Sequence, residues 1–318
     1  HLNEFATVED GKSQVLGGFA KIKTLLNEQK EKNPETLLLD AGDFSMGTLV
    51  QVVYEEEAAE LRMLGELGMV ATTFGNHEFD WGEGYVEANA KQAQFPFLAI
   101  NIYERSTNTQ VDYCQSSVVV DADGIQIGII GAIGDCYSSI APDKVEDIYF
   151  KTGSELTALV KKESNKLRAQ GVDFVVYILH DGSGRSSGST STVIPGNQMK
   201  SYYDVELSDG YVDLVFEGHS HQQYLHMDQY GVYHLQNRGD NKGGMSHVEV
   251  SFNTVTGNFT NTMANCWFGK TSIRKATSPM ALKPGSMTMP VGKFVIPRKL
   301  KMAKHHRISA AAMTKREI

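Results

Sequence analysis

Four apolar runs in this chain each break off into a short cluster of carboxylate, amide or imidazole side chains. That pattern constrains the fold more than any other feature. Leu37-Leu38-Leu39 leads into Asp40-Ala41-Gly42-Asp43-Phe44-Ser45, and Met69-Val70-Ala71 into Phe74-Gly75-Asn76-His77-Glu78-Phe79-Asp80. Tyr177-Ile178-Leu179 leads into His180-Asp181-Gly182, and Val215-Phe216 into Glu217-Gly218-His219-Ser220-His221. Short apolar runs bounded by turn residues suit buried strands. Open α/β sheets collect their ligands at the C-terminal ends of such strands.

Helical segments separate these runs. Gly17 to Asn33 places Phe19, Ile22, Leu25 and Leu26 at helical spacing, with Pro34 as a stop. Tyr54 to Leu67 and Gly82 to Gln94 predict two more helices. Thr152 to Glu155 fits a capping box opening a fourth that ends at Gly171. Strands are expected at Thr36 to Asp40, Met69 to Thr73, Phe95 to Asn101, Ser116 to Val120, Ile125 to Ile130, Val172 to Leu179 and Tyr211 to Phe216. Val232 to Gln236 and His247 to Phe252 look like a closing pair. The alternation predicts an α/β domain over residues 1–267.

Charge divides the chain in the same place. Residues 268–318 carry 12 of the 30 Lys and Arg and a single acid, Glu317, which leaves 18 basic and 37 acidic side chains before them. So acidic a surface repels nucleic acid polymers. Beyond residue 268 periodicity fades, and four of the eight prolines and five of the twelve methionines collect there. A basic, poorly ordered tail is expected, with an arm docked on the acidic domain as the alternative. Gly182 to Thr192, rich in Gly, Ser and Thr, reads as a mobile loop. Three cysteines without CxxC spacing, Cys114, Cys136 and Cys266, make neither a disulfide scaffold nor a zinc finger. No apolar run is long enough for a transmembrane segment.

The four clusters bring hard and borderline ligands, a set suited to divalent transition metals. Each has a plainer reading by itself. Asp43 can cap a turn, Asn76-His77 can be a turn with a packed histidine, and His180 can be a core residue. Two imidazoles two residues apart, His219 and His221, are costly as packing. His226, His234 and His247 read as surface or strand-packing residues, and Trp81, beside the second cluster, as a packing residue with a wall of the site as the alternative. Gly182 to Gly188 lacks the spacing of a dinucleotide-binding turn, and no phosphate-binding G-x-x-x-x-G-K-[ST] occurs.

In order, G-D-x-x-x-G, G-N-H-E-x-D, an apolar strand ending in His, and G-H-S-H resemble the calcineurin-like metallophosphoesterases. More narrowly they resemble the N-terminal catalytic domain of the 5′-nucleotidase / UDP-sugar hydrolase / 2′,3′-cyclic-nucleotide phosphodiesterase family. Gly17-Gly18-Phe19-Ala20 and Gln236 to Gly244 look like that family too. The resemblance covers residues 1–267. It implies a four-layer αββα sandwich of two mixed sheets, the metallophosphoesterase fold.

It also implies roles. Asp43 would bridge two divalent metal ions, Mn²⁺, Zn²⁺ or similar. Asn76, His180 and His219 would complete one site, and His221 would ligate the other. His77 would be the catalytic histidine and Asp80 would orient its ring. The family's first motif, D-x-H, has no match here. His1-Leu2 fits the end of D-x-H-x-H-L, so those ligands are expected upstream, unless His1 is itself the ligand histidine. In either case one metal is expected to be weak or missing in this chain. The implied activity is hydrolysis of a nucleotide phosphoester. A catalytically impaired binding protein on the same fold, or an enzyme for another small phosphoester, stays open. The resemblance further implies an extracytoplasmic location and a C-terminal substrate-specificity domain in the full protein.

Overall fold

The computed structural model describes residues 4–9, 12–45, 58–182, 192–194, 205–221, 224–237, 244–253, 256–268, 271–273 and 305–313. Its first strands are β1 (Glu4–Glu9), β2 (Lys12–Gly17), β3 (Thr36–Asp40), β4 (Met69–Thr72), β5 (Ile102–Glu104), β6 (Ser117–Ala122), β7 (Ile125–Ile133) and β8 (Ile148–Phe150). There follow β9 (Phe174–His180), β10 (Thr192–Ile194), β11 (Leu214–Glu217), β12 (Tyr224–Asp228) and β13 (Tyr233–Gln236). The last are β14 (Gly244–Asn253), β15 (Asn258–Phe268), β16 (Thr271–Ile273) and β17 (His305–Met313). The described α-helices are α1 (Phe19–Lys32), α2 (Ala59–Glu66), α3 (Glu83–Gln92) and α4 (Gly153–Ala169).

Two mixed sheets dominate. One has seven strands in the order β10-β12-β13-β11-β9-β7-β6, the other six in the order β16-β15-β14-β17-β3-β4. The strands that carry the ligand clusters run parallel in pairs, β3 with β4 and β9 with β11. Alternation along β9 shows how the layers form. Phe174, Val176 and Ile178 point into a cluster shared with Leu37, Leu39 and Ala71 of the other sheet. Val175, Tyr177 and Leu179 point the opposite way, against Leu156, Val160 and Leu167 of α4. Both faces of β9 are therefore buried, and its sequence reads as a continuous apolar run. On the far side, Leu38 of β3 and Met69 of β4 pack with Leu26 of α1, Leu61 and Leu64 of α2 and Val86 of α3. Helices thus pack on the outer face of each of the two mixed sheets, an α/β architecture.

Several expectations need correction. Phe95 to Asn101 is not a ladder strand. Leu98 donates to Thr72, Ala99 to Gln115 and Ile100 to Gly131, so its bonds are divided among three partners, and Pro96 can donate none. Val232–Gln236 and His247–Phe252 do not pair with each other. β13 joins β11 and β12 in the larger sheet, while β14 lies between β15 and β17 in the smaller one. The capping box is not formed, since Thr152 makes no side-chain cap bond. Trp81 is 51% exposed beside Tyr85, not packed.

The basic segment beyond residue 268 also contributes structure. β17 pairs antiparallel with β14 and parallel with β3, giving β3 a backbone partner on that side. Its Ala310-Ala311-Ala312 run lacks the branched and aromatic residues that mark strands in a sequence. The rest of that segment, apart from 271–273, and loop residues 183–191 lie outside the described residues.

Candidate metal centre

The four clusters meet where the two sheets present the C-terminal ends of their parallel pairs. Asp43 follows β3, Asn76 and His77 follow β4, His180 ends β9, and His219 follows β11. Asp43, His219 and, two residues on, His221 are backbone outliers, with φ of 66°, 70° and 55° without being glycine. Such conformations cost on the order of 1–3 kcal/mol each and persist where the surroundings enforce them, typically at functional sites.

Glycines let the clusters approach. A Cβ on Gly75 would lie 2.1 Å from Asp43 Oδ1, and one on Gly42 would lie 2.8 Å from His180 Nδ1. Gly42 has a φ of 87°, which a side chain would further strain. A Cβ on Gly182 would lie 2.0 Å from Ser220 Oγ, so the His180 and His219 loops touch only because that residue is bare.

Glu78 ties the first two clusters together. Its buried carboxylate accepts the backbone N–H of Asp43 at 2.8 Å, of Ser45 at 3.1 Å and of Gly75 at 2.6 Å. The His77 N–H in turn donates to Asp43 Oδ1 at 3.0 Å. The sequence pattern by itself assigns Glu78 no role.

His180 is fully buried, and its Nδ1 lies 2.5 Å from the carbonyl oxygen of Ala41. In the neutral ring that carbonyl holds the proton on Nδ1 and leaves Nε2 with its lone pair. Nε2 lies 3.1 Å from Asp43 Oδ2, an ion pair when the ring is protonated. Burial opposes charging His180, but Asp43 outweighs it and raises the ring's pKa to about 9. Burial likewise opposes charge on Asp43, and His180 with His77 holds its carboxyl below the usual range. Asn76 Oδ1 accepts from His219 Nδ1 at 2.9 Å, and the His180 and His219 ring centroids are 5.4 Å apart. Burial, followed by the charge of His180, lowers His219 to about 4, so it presents the neutral ring that metals take.

The expected catalytic pair is also together. His77 Nδ1 lies 2.7 Å from Asp80 Oδ2. Burial opposes charge on this ring, but the Asp80 bond and the nearby Asp43 carboxylate raise it to about 9. His221, half-buried, stands two residues beyond His219 on the same loop.

Residues 11–223 match the model of the calcineurin-like phosphoesterases. The chain belongs to that family. Among the relatives of this chain, Protein UshA of Yersinia enterocolitica is 28% identical over 212 residues, covering 64% of this chain and 36% of that protein. The 5′-nucleotidase of Homo sapiens is 32% identical over 174 residues, covering 54% of this chain and 29% of that one. The chain thus spans about a third of the length of these curated relatives. The crystal structure of a 5′-nucleotidase precursor from Thermus thermophilus superimposes with a TM-score of 0.62 at 22% identity, covering 84% of this chain and 52% of that one. That likeness establishes the fold. Divalent-metal phosphoester hydrolysis is the chemistry of the family. Among the described residues, no helix is long and apolar enough to cross a membrane.

Proposed function

We propose that this chain carries a metal-dependent phosphoesterase site for nucleotides, of the 5′-nucleotidase or 2′,3′-cyclic-nucleotide phosphodiesterase type. The single observation that carries it is the convergence of the buried His180 Nε2 and Asp43 Oδ2, 3.1 Å apart, beside the His77–Asp80 pair. The donor set suits a divalent cation, with Asp43, Asn76, His180 and His219 as its holders and His221 toward a second. Bound there, divalent ions would activate a water and neutralise charge on the phosphoryl group. His77 would donate a proton to the leaving oxygen. Asp80 would keep its ring in one orientation, and the N–H of His77 to Asp43 would fix the distance between acid and metal holder. A nucleotide as substrate is supported by the name of the relative called 5′-nucleotidase. Action outside the cytoplasm and a further specificity domain in the full protein belong to the same proposal.

The test is a panel of nucleoside monophosphates, cyclic nucleotides and sugar phosphates assayed with Mn²⁺ and after chelation. Chelator-sensitive turnover of nucleotides is expected. Turnover of sugar phosphates alone would replace the substrate class, and metal-independent turnover would sink the mechanism.

A further inference from the structure

The chain leaves the larger sheet at Glu217, the end of β11, and re-enters it at Tyr224, the start of β12. These two strands are not neighbours, because β13 lies between them. The turn that carries His219 and His221 therefore crosses over the end of β13, whose last residue is Gln236. In register, Gln236 stands beside Glu217 on one side and Tyr224 on the other. It lies beneath the crossing, and it is buried.

Its side chain is tied to that crossing. Nε2 of Gln236 donates to Ser220 Oγ at 2.8 Å, and Oε1 lies 3.1 Å from the same hydroxyl and 3.3 Å from the hydroxyl of Tyr224. Tyr224, also buried, donates to Glu217 Oε2 at 2.9 Å, so the two ends of the crossing are joined below it. Ser220 stands between the two histidines, and both of its neighbours have positive φ, 70° at His219 and 55° at His221. Its N–H closes on the Gly218 carbonyl at 2.9 Å. Gly182 borders the same spot, since a Cβ there would lie 2.0 Å from Ser220 Oγ and 2.7 Å from Gln236 Oε1. The hydroxyl thus sits where the His180 and His219 segments meet. A strained turn persists only while its surroundings enforce it. A buried amide is costly unless its bonds are made. The Gln236–Ser220 contact meets both demands at once.

We infer that Gln236 is a positioning residue for the metal site: through the Ser220 hydroxyl it fixes the turn that presents His219 and His221, and so sets the two imidazoles at one separation and angle. This rests on the proposed metal site and adds no ligand to it. Neither Gln236 nor Ser220 is a holder of the ion. They keep the turn ready, so that an entering ion does not have to order it. Partners that orient ligands from behind contribute to metal affinity although they never reach the metal. Loss of either member of the pair breaks the same linkage.

The test measures zinc affinity of the full chain by competition with a chromogenic chelator, in the parent, Gln236→Ala, Ser220→Ala and the double variant. The unfolding midpoint of each metal-free protein is measured in parallel. Each single variant is expected to bind zinc roughly ten- to a hundredfold more weakly. Because both changes break one linkage, the double variant should bind no more weakly than the weaker single variant. A role in packing alone would lower the midpoint and leave the affinity of the folded chain unchanged. If Gln236→Ala does not fold, Ser220→Ala, which loses a single oxygen atom, decides the matter by the same criterion. Parent affinity in a folded single variant, or losses that add in the double variant, would overturn the inference and leave the metal site standing. A parent chain that binds no zinc would remove the metal site and this inference with it.

Discussion

The Nδ1 atom of His77 lies 2.7 Å from Oδ2 of Asp80, three residues on, and the His77 backbone N–H is bonded to Asp43 at 3.0 Å. The same residue thus takes its ring orientation from one carboxylate and its backbone position from another. His77→Ala should lower kcat by about 10²-fold or more, because a general acid contributes roughly 10²–10⁴. Bound metal should be nearly unchanged. Asp80→Asn should lower kcat less, with KM little altered. Steady-state kinetics with elemental analysis checks this, and a fully active His77→Ala would remove His77 from the mechanism.

Glu78 holds the Asp43 turn with three backbone N–H bonds. Replacing it by Ala strands buried donors at a cost of about 1–3 kcal/mol each. We expect Glu78→Ala to unfold at markedly lower denaturant and Glu78→Gln to fall between it and the parent. Equal midpoints for all three would show that the carboxylate holds nothing.

Gly75 has no room for a methyl group against Asp43 Oδ1. Gly75→Ala should displace Asp43 and weaken metal binding by roughly tenfold or more, the range typical when a ligand loses its support. Calorimetric titration with Mn²⁺ reads this directly. Unaltered affinity would mean that Asp43 can shift without cost.

His234, expected to be a surface or strand-packing residue, is fully buried on β13 and bonded to Asp228 at 3.1 Å, with Glu217 at 3.8 Å. Burial opposes its charge, but Asp228 and Glu217 raise its pKa from 6.5 to about 9. A raised folded pKa stabilises fully below pH 6.5 and is lost as pH rises through 9. The shift corresponds to up to about 3 kcal/mol. Unfolding free energy should fall between pH 6.5 and 9, and His234→Gln should flatten that slope. The same slope in both proteins would assign it to other groups.

Much of this was legible in the sequence because strand ends and ligands coincide. The strand expected at Thr36 to Asp40 has the limits of β3, and the one expected at Val172 to Leu179 is β9, which runs one residue further to His180, since both runs are apolar on both faces. The backbone partners were not legible. Nothing in Ala310-Ala311-Ala312 announces a strand beside β3, and Pro96 hides inside an apolar segment whose bonds go to three neighbours. Glu78 was missed for a related reason. Its role depends on backbone groups, such as the Gly75 N–H, that no side-chain pattern reveals. His1 lies outside the described residues.

The central claim is that Asp43, Asn76, His180 and His219 hold a divalent cation. Elemental analysis of the purified chain, dialysed against excess Zn²⁺ and then against metal-free buffer, tests it most directly. At least one tightly held zinc per chain is predicted, lost in His180→Ala and kept in His77→Ala. A chain that retains no zinc, or a His180→Ala variant that retains as much as the parent, would contradict it.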